Sequence, residues 1–175
     1  MAYRYSPVAL WLHWLTAALV LAMIVVGIWM TYFEPKDEAF KFLLYDVHES
    51  VGAALFVLVL VRLLRRLANP PASLPHRVPA HFRAAAHLNH ALLYAVLLIQ
   101  PIIGFLDTNA WGFPLQWAGL VEIPSPIGKN ETLAPVLSDL HWYGAMVLVV
   151  LVGAHLSGAF YHGVIRRDGV VQRML

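Results

Sequence analysis

Residues 140–162, LHWYGAMVLVVLVGAHLSGAFYH, form an apolar run that contains two histidines, His141 and His155, fourteen positions apart. Fourteen residues make close to four turns of an α-helix, so both imidazole rings project from nearly the same face. At a rise of 1.5 Å per residue the rings lie about 21 Å apart along the axis, most of the roughly 30 Å hydrocarbon core of a bilayer. The spacing predicts one membrane helix that carries two metal-binding imidazoles at different depths.

The composition is that of an integral membrane protein. Of the 175 residues, 60% are hydrophobic and only 13% are charged, whereas soluble domains carry about 25% charged residues. Four apolar segments, at about residues 8–30, 47–67, 90–107 and 140–161, are each long enough to cross a bilayer. We predict an all-α fold, an integral membrane four-helix bundle that occupies residues 1–175 as one domain.

Basic residues lie mostly on one side of this predicted bundle. Nine arginines precede segment one, flank the loop between segments two and three, or follow segment four. They are Arg4, Arg62, Arg65, Arg66, Arg77, Arg83, Arg166, Arg167 and Arg173. The other side has only Lys36, Lys41 and Lys129. Because cytoplasmic loops carry the excess of basic residues, we predict that both termini are cytoplasmic and that loops 31–46 and 108–139 face outward.

The outer loop between segments three and four is too apolar for a free tether. It contains Trp111, Phe113, Leu115, Trp117, Leu120 and Val121. We expect it to fold back as a short amphipathic cover on the outer surface of the bundle.

Four of the nine histidines sort by depth into two pairs. His13 and His155 lie toward the cytoplasmic ends of segments one and four, and His48 and His141 lie at the outer starts of segments two and four. Imidazoles that face each other across a bundle bind haem iron from both sides, which suits electron transfer. The chain has no cysteine, which excludes thioether attachment of haem, iron–sulfur clusters and Cys/His zinc sites. The pattern predicts two b-type haems, an inner one on His13 and His155 and an outer one on His48 and His141.

Three further residues carry open alternatives. Arg62 follows His48 by fourteen positions, which places it on the same helix face near the inner pair. There it either binds a haem propionate or extends to the cytoplasmic surface. His87 and His90, at the inner start of segment three, are rival inner ligands, quinone-binding or proton-relay groups, or an interfacial pair that faces lipid headgroups. The ordinary alternative for every intramembrane histidine is a ring hydrogen-bonded to backbone or neighbouring helices.

Several stretches together resemble the bacterial cytochrome b561 family of four-helix di-haem membrane cytochromes. They are RYSPVALWLHWL with His13, DVHESVGAALFVLVLVRLLRRL with His48 and Arg62, AHLNHALLYAVLLIQPIIG with His87 and His90, and SDLHWYGAMVLVVLVGAHLSGAFYH with His141 and His155. The resemblance covers nearly the whole chain. It implies two b haems, quinone, with ubiquinone as the expected substrate, and a location in the bacterial inner membrane. Similar proteins include a superoxide oxidase, which passes electrons from superoxide at the periplasmic face to ubiquinone.

The charge of the outer loops bears on that substrate, because steering an anion requires a positive surface. Against three lysines these loops hold eight acidic residues: Glu34, Asp37, Glu38, Asp46, Asp107, Glu122, Glu131 and Asp139. An acidic face suits a positively charged redox protein better than superoxide.

The leading hypothesis is therefore an electron carrier that connects a quinone with a periplasmic donor or acceptor. A narrower enzymatic version is a superoxide:ubiquinone oxidoreductase. The alternatives are a haem-bearing membrane anchor for a dehydrogenase and a metal-free proton or solute transporter that uses the buried histidines.

Overall fold

Four long helices make up most of the computed structural model, which describes residues 4–33, 35–71 and 78–175. In chain order they are α1 (Pro7–Tyr32), α2 (Glu38–Ala68), α3 (Ala80–Trp111) and α4 (Leu133–Phe160). Each is long and apolar enough to cross a membrane. The predicted four-helix membrane architecture is thus confirmed. Arg77 and Glu34, which entered the charge count above, lie outside the described residues.

The outward surface of the bundle is apolar, the reverse of a water-soluble protein. Large side chains such as Trp11 and Val150 are more than 70% exposed. Most of the buried side chains among the described residues lie in the seams between helices, where Val59 on α2 and Thr16 on α1 are almost fully enclosed. This distribution fits lipid as the surrounding solvent, because hydrocarbon makes no demand for polar side chains on the outer faces of helices.

Three helices begin earlier than the hydropathy pattern predicts. The predicted starts were residues 47, 90 and 140, whereas α2 begins at Glu38, α3 at Ala80 and α4 at Leu133. The start of α2 is fixed by Asp37, whose carboxylate accepts a hydrogen bond from the Phe40 N–H at 2.7 Å. Hydropathy marks only the part of a helix inside the hydrocarbon layer, and these helices extend beyond it into the polar interfacial region.

At the outer end, α3 and α4 approach each other closely through small side chains. Ala110 and Ala134 are fully buried there, together with Leu137, and Ile103 and Leu106 pack against them. Small residues let two helix backbones come close together. This contact fixes the position of the outer part of α4, which carries His141 about two turns after its start at Leu133.

The outer loop folds back on the bundle as a two-stranded hairpin. Strands β1 (Leu115–Trp117) and β2 (Val121–Ile123) pair antiparallel, with Gln116 opposite Glu122. Leu115 is buried, and β1 contacts α2. The Ala118 N–H at the hairpin turn donates to the Ser50 hydroxyl on α2 at 2.8 Å, two residues beyond His48. The predicted cover is therefore a hairpin tied to the helix that carries His48.

Residues near the start of the described chain, from Arg4 onward, meet its C-terminal end at the inner end of the bundle. After α4 come a π-helical turn, Tyr161–Arg166, and a short 3-10 turn, Val171–Met174. The Trp14 indole N–H donates to the Met174 carbonyl at 2.9 Å, and the Arg4 guanidinium donates to the Leu175 carbonyl. The termini thus share one side of the bundle, as the topology prediction requires, while the cytoplasmic identity of that side stays a prediction.

Asp168 organises this C-terminal return. Its carboxylate accepts hydrogen bonds from the His162 ring at 2.7 Å and from the Val170 N–H at 3.3 Å. The Arg166 guanidinium lies 3.5 Å from the same carboxylate. The Asp168 side chain is only 7% exposed, so these partners replace the water that a surface carboxylate would have.

The Asp168 contacts predict an acid-sensitive contribution to stability. Burial acts to raise the pKa of the Asp168 carboxyl, but hydrogen bonds from His162 and Val170 and the charge of Arg166 outweigh burial and hold that pKa below its usual value. Such a group stabilises the fold above its unfolded pKa of about 3.9, and the stabilisation is lost as the pH falls through the lower folded value. We expect Asp168→Asn to lower the melting temperature in detergent at about pH 5 and the difference to shrink as the pH approaches about 3. Thermal unfolding across this range checks it, and a difference already absent at pH 5 would contradict it.

Candidate haem sites

The outer pair brings together His48 on α2 and His141 on α4. Their ring centres lie 6.2 Å apart, with the ring planes at 79°. Among the described residues, the buried Nδ1 atoms of both rings have no hydrogen-bond partner. A core histidine that serves only packing normally has its ring nitrogens satisfied. These two rings do not follow that ordinary pattern, and their orphaned nitrogens fit imidazoles that serve a bound group.

The inner pair brings together His13 on α1 and His155 on α4. Their ring centres lie 6.1 Å apart, with the planes at 60°. The Arg62 guanidinium on α2 donates to His13 Nδ1 at 3.0 Å, so Arg62 lies at the level of the inner pair. His90 on α3 also reaches this site, with its ring centre 5.3 Å from that of His155.

Both pair distances fit two axial ligands of one iron. Two imidazoles that each place a nitrogen about 2 Å from a shared first-row metal ion have ring centres about 6 Å apart. The distances of 6.1 Å and 6.2 Å match this spacing. The ring centres of His90 and His155 lie only 5.3 Å apart, closer than this spacing, so His13 fits the inner ligand role better than His90. His87 is exposed and belongs to neither pair.

Residues of α3 position His141 of the outer pair. The Gln100 amide donates to the His141 backbone carbonyl at 2.8 Å, and a Cβ on Gly144 would lie 2.2 Å from the Gln100 oxygen. A Cβ on Gly104 would lie 2.9 Å from Cε1 of the His141 ring. Sequence reasoning missed Gln100 and Gly104, although Gln100 is a polar residue inside an apolar run, which is a usual mark of function in membrane helices.

Two carboxylates lie beside the outer pair. Asp107 accepts a hydrogen bond at 2.8 Å from Ser138, which lies one turn before His141 on α4. The Ser138 hydroxyl in turn accepts from the Trp111 indole N–H at 3.0 Å. On α2, Glu49 accepts from the Thr108 hydroxyl at 2.9 Å. The surroundings of the outer pair are therefore acidic.

Arg62 lies beside the inner pair, and Arg66 lies beside its neighbour His90. The guanidinium groups of Arg62 and Arg66 lie 5.8 Å and 5.9 Å from the centre of the Tyr94 ring, a cation–π arrangement. Both are within electrostatic range of His90. The surroundings of the inner pair are therefore basic, and the two sites differ in the sign of their neighbouring charges.

Residues 4–175 match the family model described as prokaryotic cytochrome b561. The chain belongs to this family. It is 31% identical over 173 residues to cytochrome b561 homolog 2 of Escherichia coli, an alignment that covers 98% of the chain and 91% of that protein. It is 26% identical over 172 residues to the probable superoxide oxidase CybB of Yersinia pestis, which covers 98% of the chain and 96% of that protein.

Membership of the cytochrome b561 family establishes the general chemistry. The chain is a multi-pass protein of the bacterial inner membrane that binds b-type haem and transfers electrons across the membrane. The family assignment excludes a metal-free transporter, one of the alternatives above. The facing imidazoles fit haem, because each pair would offer two nitrogen ligands to one iron.

A cavity of about 410 Å³ opens between α2 and α3 at the inner end of this cytochrome. Its polar lining comes from Arg66, His87, His90 and Tyr94, and its apolar lining includes Leu63. His90 contacts His155, so the cavity lies directly beside the inner imidazole pair. The sequence had placed His87 and His90 at this end, but the cavity itself depends on how α2 and α3 pack.

The contact between Gly104 and His141 yields a prediction for stability. Gly104→Ala forces the His141 ring or α3 to move, and overpacking of this kind costs about 1–3 kcal/mol. Gly153→Ala is the matched control on α4, because its Cβ meets no atom within 4 Å, and we expect it to leave stability within about 1 kcal/mol of the wild type. Denaturant unfolding in detergent measures both variants. Equal stability of the two variants would show that Gly104 does not lie against the His141 ring.

Proposed function

We propose that this cytochrome holds two b haems, one between His13 and His155 and one between His48 and His141, and carries electrons between a quinone and an outer redox partner. The observation that carries the proposal is the near-equal spacing of the two imidazole pairs, 6.1 Å and 6.2 Å. Because α4 supplies one ligand to each pair, the two sites lie about 21 Å apart along one helix. Together they provide a path between the two membrane faces.

Two imidazoles per iron would favour electron transfer over bond-making catalysis. His13 and His155 would hold one haem and His48 and His141 the other, and each haem would supply one-electron chemistry without binding oxygen or substrate. The protein contributes rigid placement of the imidazoles, through contacts such as Gln100 with the His141 carbonyl. We assign no residue of this chain to a covalent step.

Arg62 is proposed to bind a propionate of the inner haem. An imidazole that binds iron through Nε2 carries its proton on Nδ1, and a guanidinium has donors only. If His13 binds iron, its Nδ1 and the Arg62 guanidinium are both donors, so the contact between them cannot persist. Arg62 then needs another acceptor. A carboxylate with two oxygens meets that need well.

The cavity between α2 and α3 is the proposed quinone site, with ubiquinone as the expected substrate. Its apolar walls suit a lipid-soluble ring, and His87 and Tyr94 supply polar groups for the quinone oxygens. Quinone reduction consumes protons as well as electrons, and histidine exchanges protons near neutral pH. Since His90 links the cavity to His155, an electron at the inner site has a short route to a bound quinone.

Superoxide oxidation is the second candidate function. Its support is the name of the Yersinia pestis relative, the probable superoxide oxidase CybB. The charges near the outer pair oppose it, because Asp107 and Glu49 lie there and would repel an anion. Lys129, one of the few outer cations, is paired with Glu131 at 2.9 Å. A neutral or cationic electron donor or acceptor at the periplasmic face therefore fits better.

Haem stoichiometry tests the proposed pairs. The purified wild type should contain two haems per chain in a pyridine haemochrome assay. His48→Ala and His141→Ala should each reduce the ratio to one, because a single imidazole remains at the outer site. His81→Ala, an exposed histidine that contacts Phe82, is the control and should retain two haems. Two haems in His48→Ala would refute the outer assignment.

Quinone kinetics test the cavity. We expect His87→Leu to raise the KM for a soluble ubiquinone analogue about fivefold, the effect of losing one hydrogen bond worth about 1 kcal/mol. Haem content and absorption spectrum should not change, since His87 lies outside both imidazole pairs. His81→Leu, six residues earlier on α3 and away from the cavity, should behave as wild type. The measurement is reoxidation of the reduced protein by increasing analogue concentrations, and an unchanged KM in His87→Leu would place the quinone elsewhere.

A further inference from the structure

The two imidazole pairs differ in the sign of the charge beside them, and this difference has a consequence for redox potentials. Asp107 is within electrostatic range of the outer ligand His141. At the inner site Arg66 is within range of His90, and Arg62 is within range of His13 and His155. Charges in a poorly solvated interior interact more strongly than in water. The acidic side chain at the outer site and the basic side chains at the inner site therefore affect the energy of any charged group bound there.

Asp107 is held as a hydrogen-bond acceptor. The Trp111 indole N–H can only donate, so the Ser138 hydroxyl accepts from it. The Ser138 hydroxyl proton then points to Asp107 Oδ1, 2.8 Å away. An ionised carboxylate receives this donor without rearrangement of the three side chains.

The position of Asp107 places this charge next to the outer ligand. On α3, Asp107 lies one turn beyond Gly104, whose backbone faces the His141 ring. On α4, its partner Ser138 lies one turn before His141. Residues three positions apart share a helix face, so two independent helix positions bring the carboxylate to the same ligand.

Arg66 is held at the inner site in a comparable way. Its guanidinium lies against the Tyr94 ring on α3, beside the cavity next to His90. The preceding residue, Arg65, is exposed and projects from a different side of α2. Substitutions of Arg65 and of Arg66 therefore remove the same charge, and they differ only in the distance of that charge from the inner site.

We propose that Asp107 lowers the reduction potential of the outer haem and that Arg66 raises that of the inner haem, so that electrons pass preferentially from the outer site to the inner site. The inference rests on the proposed function, since it requires both haems. An oxidised haem carries one positive charge more than a reduced one, so a nearby carboxylate stabilises the oxidised form and a nearby guanidinium the reduced form. In the transfer the outer site loses one electron and the inner site gains it, with no bond made or broken.

The test is a spectroelectrochemical redox titration of the haem-loaded protein in detergent without quinone. The wild type should show two waves, and His48→Ala, which retains the inner haem, assigns the inner wave. The outer wave should lie at the lower potential. Asp107→Asn should favour reduction of the outer haem about tenfold, a rise of about 59 mV for one electron, and leave the inner wave in place. Asp107→Glu, which retains the charge, should return the outer wave toward the wild type.

Arg66→Gln provides an independent arm. It should lower only the inner wave, also by about tenfold or 59 mV, whereas Arg65→Gln should move neither wave. Glu131→Gln removes an outer carboxylate that is exposed and paired with Lys129, and it should leave both waves unchanged. These controls separate a local charge effect from a change in net charge.

Separate outcomes overturn the inference and the proposed function. Two haems per chain with an outer wave at the higher potential, or with both waves unmoved by Asp107→Asn, would overturn the inference and leave the proposed function standing. The same holds if Arg66→Gln leaves the inner wave in place. One haem per chain in the wild type would overturn the proposed function and this inference with it. If Asp107→Asn does not fold, the shift of the inner wave in Arg66→Gln still tests the inference at the inner site.

Discussion

The spacing of about 6 Å between facing imidazoles is the constraint on which the structure depends. Each pair joins two helices, α2 with α4 at the outer end and α1 with α4 at the inner end. Polar rings inside lipid are costly without partners, so the surrounding helices must hold them in place. Close contacts serve this purpose at the outer site, where Gly104 faces the His141 ring and Gln100 binds its backbone carbonyl. The glycines and the buried amide are therefore part of the site even though none of them is a proposed ligand.

The sequence alone predicted which histidines meet, because the position of a residue within an apolar segment indicates its depth in the membrane. Hydropathy located the four segments, and helix geometry assigned His13 and His155 to one level and His48 and His141 to the other. Rotation of each helix about its own axis is not readable in this way, since it depends on packing between residues far apart in sequence. For that reason Gln100, Gly104 and Asp107 went unrecognised as neighbours of His141. The early helix starts were also missed, because residues such as Glu38 lie outside the hydrocarbon layer that hydropathy detects.

The two ends of the bundle differ in access as well as in charge. At the outer end the hairpin of β1 and β2 lies over α2 and is tied to Ser50, so the approach to His48 is partly covered by protein. At the inner end a cavity between α2 and α3 opens on the outside of the bundle. A lipid-soluble molecule and a water-borne partner would thus meet different surfaces.

The placement of His141 and His155 on one uninterrupted helix also restricts how the family can vary. Each residue inserted into a helix rotates everything after it by about 100° and shifts it by 1.5 Å. A single insertion or deletion between these positions would turn His155 away from His13 while His141 still faced His48. Loops in such a protein are free to change in length, as membrane loops generally are, but this thirteen-residue interval is not. Substitution, rather than insertion or deletion, is the evolutionary route left open to the middle of α4.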